Sequence, residues 1–138
     1  MIELIWISAE LALAIHGEQL AEHGGAEGVR DLGALESALA RPQNLLSYSS
    51  RPPSIPALAA AYAYGIARNH PFVDGNKRTS LVVAETLLRL NGHKIVVSKE
   101  EKYLTYARLA EGTLSESELT AWFQKVLVPA RNKPRHAT

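Results

Sequence analysis

The sequence predicts a mainly α, single-domain bundle of about six helices, with one or two very short strands. Three observations carry this. Apolar residues recur at helical spacing in successive windows, Ser or Asp stands where several windows open, and Gly, Asn-Gly or Pro closes most of them. At 138 residues the chain suits one domain with a substantial core, and 46% apolar with 21% charged residues excludes the strongly charged, core-poor class of disordered chains.

Residues 2–7 are apolar and β-favouring and read as a short strand. Ser8 then caps a helix carrying Leu11, Ala14, Ile15 and Leu20, ended by Gly24-Gly25. Asp31 opens a second, with Leu32, Leu35 and Leu39, which Pro42 is expected to stop. Residues 43–56, with prolines at 52, 53 and 56, read as an irregular connection or flap, with Leu45, Leu46 and Tyr48 available to pack. Pro56 suits the first turn of the next helix, whose apolar face is Leu58, Ala61, Tyr62, Gly65 and Ile66. Residues 80–90 are apolar nearly all round, which predicts a helix in the middle of the bundle, stopped by Asn91-Gly92. Residues 93–97 suit a second strand, a candidate partner for the first. Ser98 with Glu101, and Ser115 with Glu118, have capping-box spacing and start two last helices, the second ending near Val128. The expected division is a folded domain over residues 1–128 and a basic, flexible tail over 129–138.

A formal net charge of +1 gives no global field for nucleic acid or anionic membranes, and Arg131, Lys133 and Arg135 are too few to make the tail a nucleic-acid arm. The absence of cysteine excludes disulfides and thiolate chemistry. The apolar runs are shorter than a membrane span, and Met1-Ile2-Glu3-Leu4 lacks the basic start of a signal peptide, so the expected location is cytoplasmic with no membrane partner.

The chemistry concentrates in His70-Pro71-Phe72-Val73-Asp74-Gly75-Asn76-Lys77-Arg78-Thr79, between two helical windows. An imidazole can accept a hydroxyl proton near neutral pH, so His70 is the candidate base. Asp74 is a hard-oxygen ligand suited to Mg²⁺ held partly by nucleotide phosphates. Gly75 allows a sharp turn and a close backbone approach, and Asn76 can donate from its side chain into the same space. Lys77 and Arg78 add positive charge beside a helix N-terminus, itself an anion site. Phe72 reads as a buried anchor that turns His70 and Asp74 outward, stiffened by Pro71. Together these suit transfer of a phosphorus-containing group from a magnesium nucleotide to a hydroxyl. The plain alternative is a polar turn at a helix end, with His70 a capping residue and Lys77 and Arg78 solvated.

This decapeptide resembles the signature loop of the Fic/Doc family, His-x-Phe-x-Asp/Glu-Gly-Asn-x-Arg, at every specified position. The likeness extends to Gly24-Gly25 through Val29-Arg30-Asp31 and to Leu88 through Asn91-Gly92, on the death-on-curing (Doc) branch. The resemblance implies His70 as general base, Asp74 as magnesium ligand, Gly75, Asn76 and Lys77 as an anion-binding turn, Arg78 as a phosphate partner and Phe72 as the lock on the loop. It implies ATP and Mg²⁺ as cofactors, a separate antitoxin protein as partner, and a Ser or Thr of a host protein as target, elongation factor Tu above all, with translation arrested.

Two departures bear on the reaction. AMP-transferring members usually carry Gly where this chain has Lys77, and a second Arg where it has Leu81. That pattern is similar to members that transfer the terminal phosphate, so phosphate transfer is expected, with AMP transfer by the same site, or a non-catalytic nucleotide- or partner-binding module, as alternatives. Glu27-Gly28 and Glu111-Gly112 are preceded four residues earlier by His23 and Ala107, so the Ser/Thr-x-x-x-Glu-Gly/Asn pattern of self-silencing members is absent. Leu46 and Tyr48, in the flap, are candidates for docking the target. His16, His23 and His93 lack metal-ligand spacing and read as surface or capping groups, Glu85 as the partner of a basic residue, Tyr62 and Tyr64 as core and rim, and Trp122 and Phe123 as core.

Overall fold

Five of six helices open on a side-chain cap, and the sixth does not. In the computed structural model, which describes residues 4–130, the helices are α1 (Ala9–His23), α2 (Leu32–Tyr48), α3 (Ile55–Asn69), α4 (Asn76–Leu90), α5 (Lys99–Glu111) and α6 (Glu116–Val126). The side chains of Ser8, Asp31, Ser54, Ser98 and Ser115 each accept a backbone N–H of the first turn, which satisfies one of the donors a helix start leaves unpaired. Ser115 and Glu118 form a complete capping box. At Ser98 only half forms, because the Glu101 carboxylate accepts the Trp122 indole N–H at 2.9 Å and so ties α5 to α6. The helix without a side-chain cap is α4, preceded by Gly75.

The central helix is α3 rather than the expected α4. It packs on α2, α4, α5 and α6, and it buries Leu58, Tyr62 and Ile66 together with Ala59, Ala60, Ala61 and Ala63. Alanines let neighbouring backbones approach on all sides, and Gly65 does the same against Ala38 of α2, where a Cβ would stand 3.3 Å from the Ala38 Cα. The core is completed by Leu35, Leu39, Val83, Leu87, Leu88, Leu119 and Phe123, and the Tyr62 hydroxyl is satisfied within it by the Ile7 N–H at 3.0 Å.

Pro42 does not stop α2, which continues to Tyr48. Leu35, Ala38, Leu39 and Pro42 are buried along one side, and Leu45 prolongs the stripe against the core. This burial, at about 1.5–3 kcal/mol per large apolar side chain, offsets the roughly 3 kcal/mol of an interior proline. The expected irregular stretch over 43–56 therefore shrinks to the residues between Tyr48 and Ile55.

The strands pair differently from the expectation. β1 (His93–Ile95) runs antiparallel to β2 (Leu127–Pro129), with Lys94 opposite Val128. Residues 4–8 form no strand, and residues 1–3 lie outside the described residues. The side chain of Asn91 takes the place of a neighbouring strand there, accepting the Ile5 N–H and donating to the Ile5 carbonyl, both at 2.9 Å. The last helix ends at Val126 because the chain leaves it to form β2, and the Ala130 N–H reaches the Gly92 carbonyl at 2.9 Å. Pro129, placed in the tail by the sequence, thus belongs to the sheet, and positions 131–138 of that tail lie outside the described residues.

Glu85 of α4 receives Lys102 at 3.1 Å and the Tyr106 hydroxyl, both from α5. Arg41 of α2 makes a two-pronged pair with Glu116 at 2.8 and 2.7 Å, which raises its pKa further. No helix among the described residues is long and apolar enough to cross a membrane.

Candidate active site

The loop between α3 and α4 begins at His70, the residue that ends α3. His70 adopts φ 48° and ψ 56°, the one non-glycine residue at positive φ among those described. Histidine tolerates this region better than most side chains, yet it must be held there. Its N–H returns to the Ile66 carbonyl at 3.2 Å, and Arg30, before α2, donates from Nε to the His70 carbonyl at 2.7 Å and from Nη2 to the Asn69 carbonyl at 2.8 Å. The imidazole is left exposed at the mouth of the loop.

The next two residues turn inward. Phe72 is 1% exposed and lies face to face with the His16 ring of α1, centroids 3.8 Å apart and planes 7° from parallel. His16 is therefore no surface histidine. It is 5% exposed, and its Nε2 donates to the Asp74 carbonyl at 2.8 Å, which fixes the Nε2-protonated ring or the imidazolium. Asn76 also differs from its expected role. Its Oδ1 accepts the Phe72 N–H and its Nδ2 donates to the Phe72 carbonyl, both at 2.9 Å, so the buried amide braces the loop instead of facing ligand space. His93 departs similarly from the surface reading, being half-buried in β1 with Nδ1 enclosed.

Segment 24–31 is laid along the loop as a short antiparallel bridge, Val29 opposite Phe72. The Arg30 and Asp31 N–H groups meet the Pro71 carbonyl at 2.7 and 3.0 Å, and the Val73 N–H meets the Gly28 carbonyl at 3.0 Å. At Gly25, with φ +130°, a Cβ would stand 2.9 Å from Leu20 Cδ2 and 3.0 Å from Asp74 Oδ2, so only glycine admits this approach.

Asp74 is exposed, with Oδ2 accepting the Ala26 N–H at 3.2 Å and Oδ1 the Gly75 N–H at 2.8 Å. These two bonds, Ala26 first, hold its carboxyl below the ordinary carboxylate range, with Arg78 and His16 adding a smaller pull. Gly75 turns the chain at φ 78° into α4, where no side chain takes the first-turn donors. Those N–H groups and the positive end of the helix dipole face a cleft of about 470 Å³ lined by His70, Val73, Asp74, Gly75, Asn76, Lys77 and Arg78. Lys77 and Arg78 are exposed on this first turn. Imidazole, ionised carboxylate, free amides and two cations thus share one depression.

Leu46 and Tyr48 do not join it. Asn69 bonds the Ala34 carbonyl at 3.0 Å, which fixes the start of α2 beside the loop. Fourteen residues of helix then carry Tyr48 about 20 Å away along the axis. There it lines a separate hollow with Arg41, Asn44, Leu45 and Glu116. The segment beside the loop is 24–31, between α1 and α2. His16, Ala26 and Arg30 are the site-forming residues that sequence reasoning missed. A signal existed for the first, since Ala12, Ile15, His16 and Gln19 form a buried stripe at helical spacing.

Among the described residues no three His, Asp or Glu side chains gather as a self-sufficient metal cage. The donor set is one carboxylate beside an anion-ready helix end, which fits a cation that brings phosphate oxygens with it.

The family model for the Fic/DOC family matches residues 6–88. The chain is similar to "Toxin Doc" of Mycolicibacterium smegmatis, with 46% identity over 69 residues, covering 50% of this chain and 53% of that protein. The matched region thus spans about half the length of the mycobacterial relative. It is also similar to "Protein kinase doc" of Escherichia phage P1, with 34% identity over 113 residues, covering 82% of this chain and 88% of that protein. A six-helix fold closed around this loop, a family match over more than half of the sequence and a relative aligned along most of both chains converge: the chain belongs to the Fic/DOC family.

Proposed function

We propose that this protein is a Doc-type toxin that transfers the terminal phosphate of Mg-ATP to a Ser or Thr hydroxyl of a host protein. The observation that carries the reading is the exposed His70 ring beside an α4 N-terminus left without a side-chain cap, in a cleft that also holds an ionised Asp74. His70 accepts the proton of the target hydroxyl as that oxygen bonds to the γ-phosphorus and the bond from that phosphorus to the β,γ-bridging oxygen breaks, releasing ADP. The first-turn N–H groups of α4, Lys77 and Arg78 face the charge of the phosphates, and Arg78 can engage two oxygens at once. Asp74 would hold Mg²⁺, with the phosphates completing its coordination. When bound, Mg-ATP supplies the phosphoryl group and the metal's neutralising charge. Gly75 and Asn76 act through the backbone, the one turning the chain into the helix and the other keeping the loop in shape. Phe72 locks that shape into the core.

Phosphate transfer is favoured over AMP transfer by position 81. Where AMP-transferring patterns place a second arginine, Leu81 is buried, so position 81 adds no cation beyond Lys77 and Arg78 to hold the outer phosphates. The P1 relative's printed name, a protein kinase, supports the same choice. The target expected from the family is elongation factor Tu, with translation arrested, in the cytoplasm, and the restraining partner is a separate antitoxin chain. The docking role of Leu46 and Tyr48 would require a target reaching from the loop to the far end of α2.

The test is purified protein, elongation factor Tu and ATP labelled in turn at the γ- and α-phosphates. Label from the γ position on the target, lost in His70→Ala, supports the proposal. Label from the α position supports AMP transfer, and growth arrest that survives His70→Ala replaces an enzyme with a binding module.

A further inference from the structure

Three consecutive carbonyls flank the proposed base, and one residue from elsewhere in the chain meets all of them. Arg30 donates from Nη2 to Asn69 O at 2.8 Å, from Nε to His70 O at 2.7 Å and from its own backbone N–H to Pro71 O at 2.7 Å. Asn69 and His70 lie at the end of α3, where carbonyls lack helical partners and carry partial negative charge. A guanidinium is a natural cap for such a place, and a single bond would suffice for capping. The arrangement here does more. It brackets the one non-glycine residue at positive φ among those described, and it does so from the rigid, two-donor edge of a planar group.

The rest of segment 24–31 grips the other end of the loop. The Gly28 carbonyl takes the Val73 N–H, and the Ala26 N–H takes Asp74 Oδ2. His70 and Asp74 are therefore registered against the same six-residue stretch, Arg30 at one end and Gly25-Ala26 at the other.

We infer that Arg30 is a positioning residue for His70: its side chain holds the left-handed backbone that aims the imidazole into the cleft, and touches no reacting atom itself. The inference rests on the proposed role of His70 as base. It separates rate from affinity, because a ring aimed wrongly leaves the phosphate-facing groups of α4 untouched, whereas a misplacement of about 1 Å in a reacting group can lower a rate about 100-fold.

The full chain is assayed with Mg-ATP and elongation factor Tu, as wild type, Arg30→Ala and Arg30→Lys, alongside the backbone order parameter of His70 from ¹⁵N relaxation. In Arg30→Ala, kcat is expected to fall about 10- to 100-fold while KM for Mg-ATP stays within about 2-fold. Arg30→Lys, with an ammonium able to reach one carbonyl at a time, should fall between. The His70 order parameter should drop from the rigid range near about 0.85 toward about 0.6 in Arg30→Ala. An unchanged kcat with His70 still ordered overturns the inference, and so does a raised KM at unchanged kcat, which would make Arg30 a binding residue. Should Arg30→Ala fail to fold, Arg30→Lys carries both readouts. Should the wild-type chain transfer no label, the proposed function fails, and the His70 order parameter alone still decides the role of Arg30.

Discussion

Truncating Phe72 separates the part of the loop that folds from the part proposed to react. The ring is 1% exposed and stacks on the His16 ring at 3.8 Å. Phe→Ala at such a site removes the transfer energy of the ring and leaves a hole that tightly packed neighbours fill poorly, about 3–5 kcal/mol in all. Against a global stability of about 5–15 kcal/mol, that is a large fraction without guaranteeing unfolding. For a chain of 138 residues, between the ranges of small and large domains, each kcal/mol moves Tm by about 3–5 °C. The expected drop is therefore about 9–25 °C. Phe72→Leu keeps apolar volume and loses the stack, so its drop should be less than half of that. Calorimetry or thermal circular dichroism gives both numbers, and the NMR signals of the His16 ring should lose their ring-current displacement in each variant. A Phe72→Ala melt within 3 °C of wild type would show that the loop is not anchored through this ring, and the account of how His70 and Asp74 come to face outward would fail with it.

Other outcomes follow from the same coordinates. Gly25→Ala places a methyl 3.0 Å from Asp74 Oδ2 at a φ of +130°, so it should displace that carboxylate and cut transfer activity at least 10-fold while most of the fold persists; activity equal to wild type refutes the close approach. Asn91→Ala removes both bonds to Ile5 and one to the Leu87 carbonyl at 2.8 Å, about 1–3 kcal/mol together, and should raise amide exchange at Ile5 well above that at Ile7; equal protection at both would count against it. The Asp74 carboxyl should titrate below its reference value of about 3.9 in a carbon-detected NMR series. Because its folded pKa is lowered, the stability it contributes is present above the unfolded value and lost as pH falls through the folded one; a midpoint at or above that reference contradicts the two backbone bonds. Burial first, and then the Glu85 carboxylate, push the Tyr106 phenol upward, so its contribution is whole below about pH 10 and declines as pH rises above it. The loss of Tm between pH 9 and 11 should be shallower in Tyr106→Phe, and an identical slope would remove the assignment.

How much of this was legible in the sequence depended on the range of the interaction. Caps at Ser8, Asp31 and Ser115 could be read because a cap bonds residues three apart. Pro42 misled because local propensity said stop, while Leu45 continued the buried stripe and tertiary packing prevailed. The strand partner was illegible in principle, since β1 and β2 meet only after two helices have returned the chain. Within the loop, residue types identified the exposed chemistry, but whether Asn76 faces a ligand or its own backbone is a matter of geometry that the letters do not carry. Arg30 and Ala26 were hidden for the same reason, each lying more than 35 residues from its partner in the loop. The glycine at 25 was the visible trace of that contact, because a Cβ there would stand 3.0 Å from Asp74 Oδ2.

The decapeptide divides cleanly by side. Pro71, Phe72, Asn76 and Thr79 are buried, His70, Val73, Asp74, Lys77 and Arg78 are exposed, and Gly75 lies half-buried between them. The groups proposed to meet a polyanion stay in water, where their charges need no partner to remain solvated. Groups that fix geometry are spent on the interior, where packing and paired hydrogen bonds hold them in one arrangement. The same economy explains the missing cap. Five helix starts use a side chain to satisfy their donors, and the sixth, at the floor of the cleft, leaves them open beside two cations and a carboxylate. An open start is tolerable on a helix so deeply packed as α4, whose stability comes from Leu81, Val83, Ala84, Leu87 and Leu88 rather than from its first turn. The packing of the bundle is thus what permits an uncapped helix end, and that end is what makes the cleft fit for phosphate.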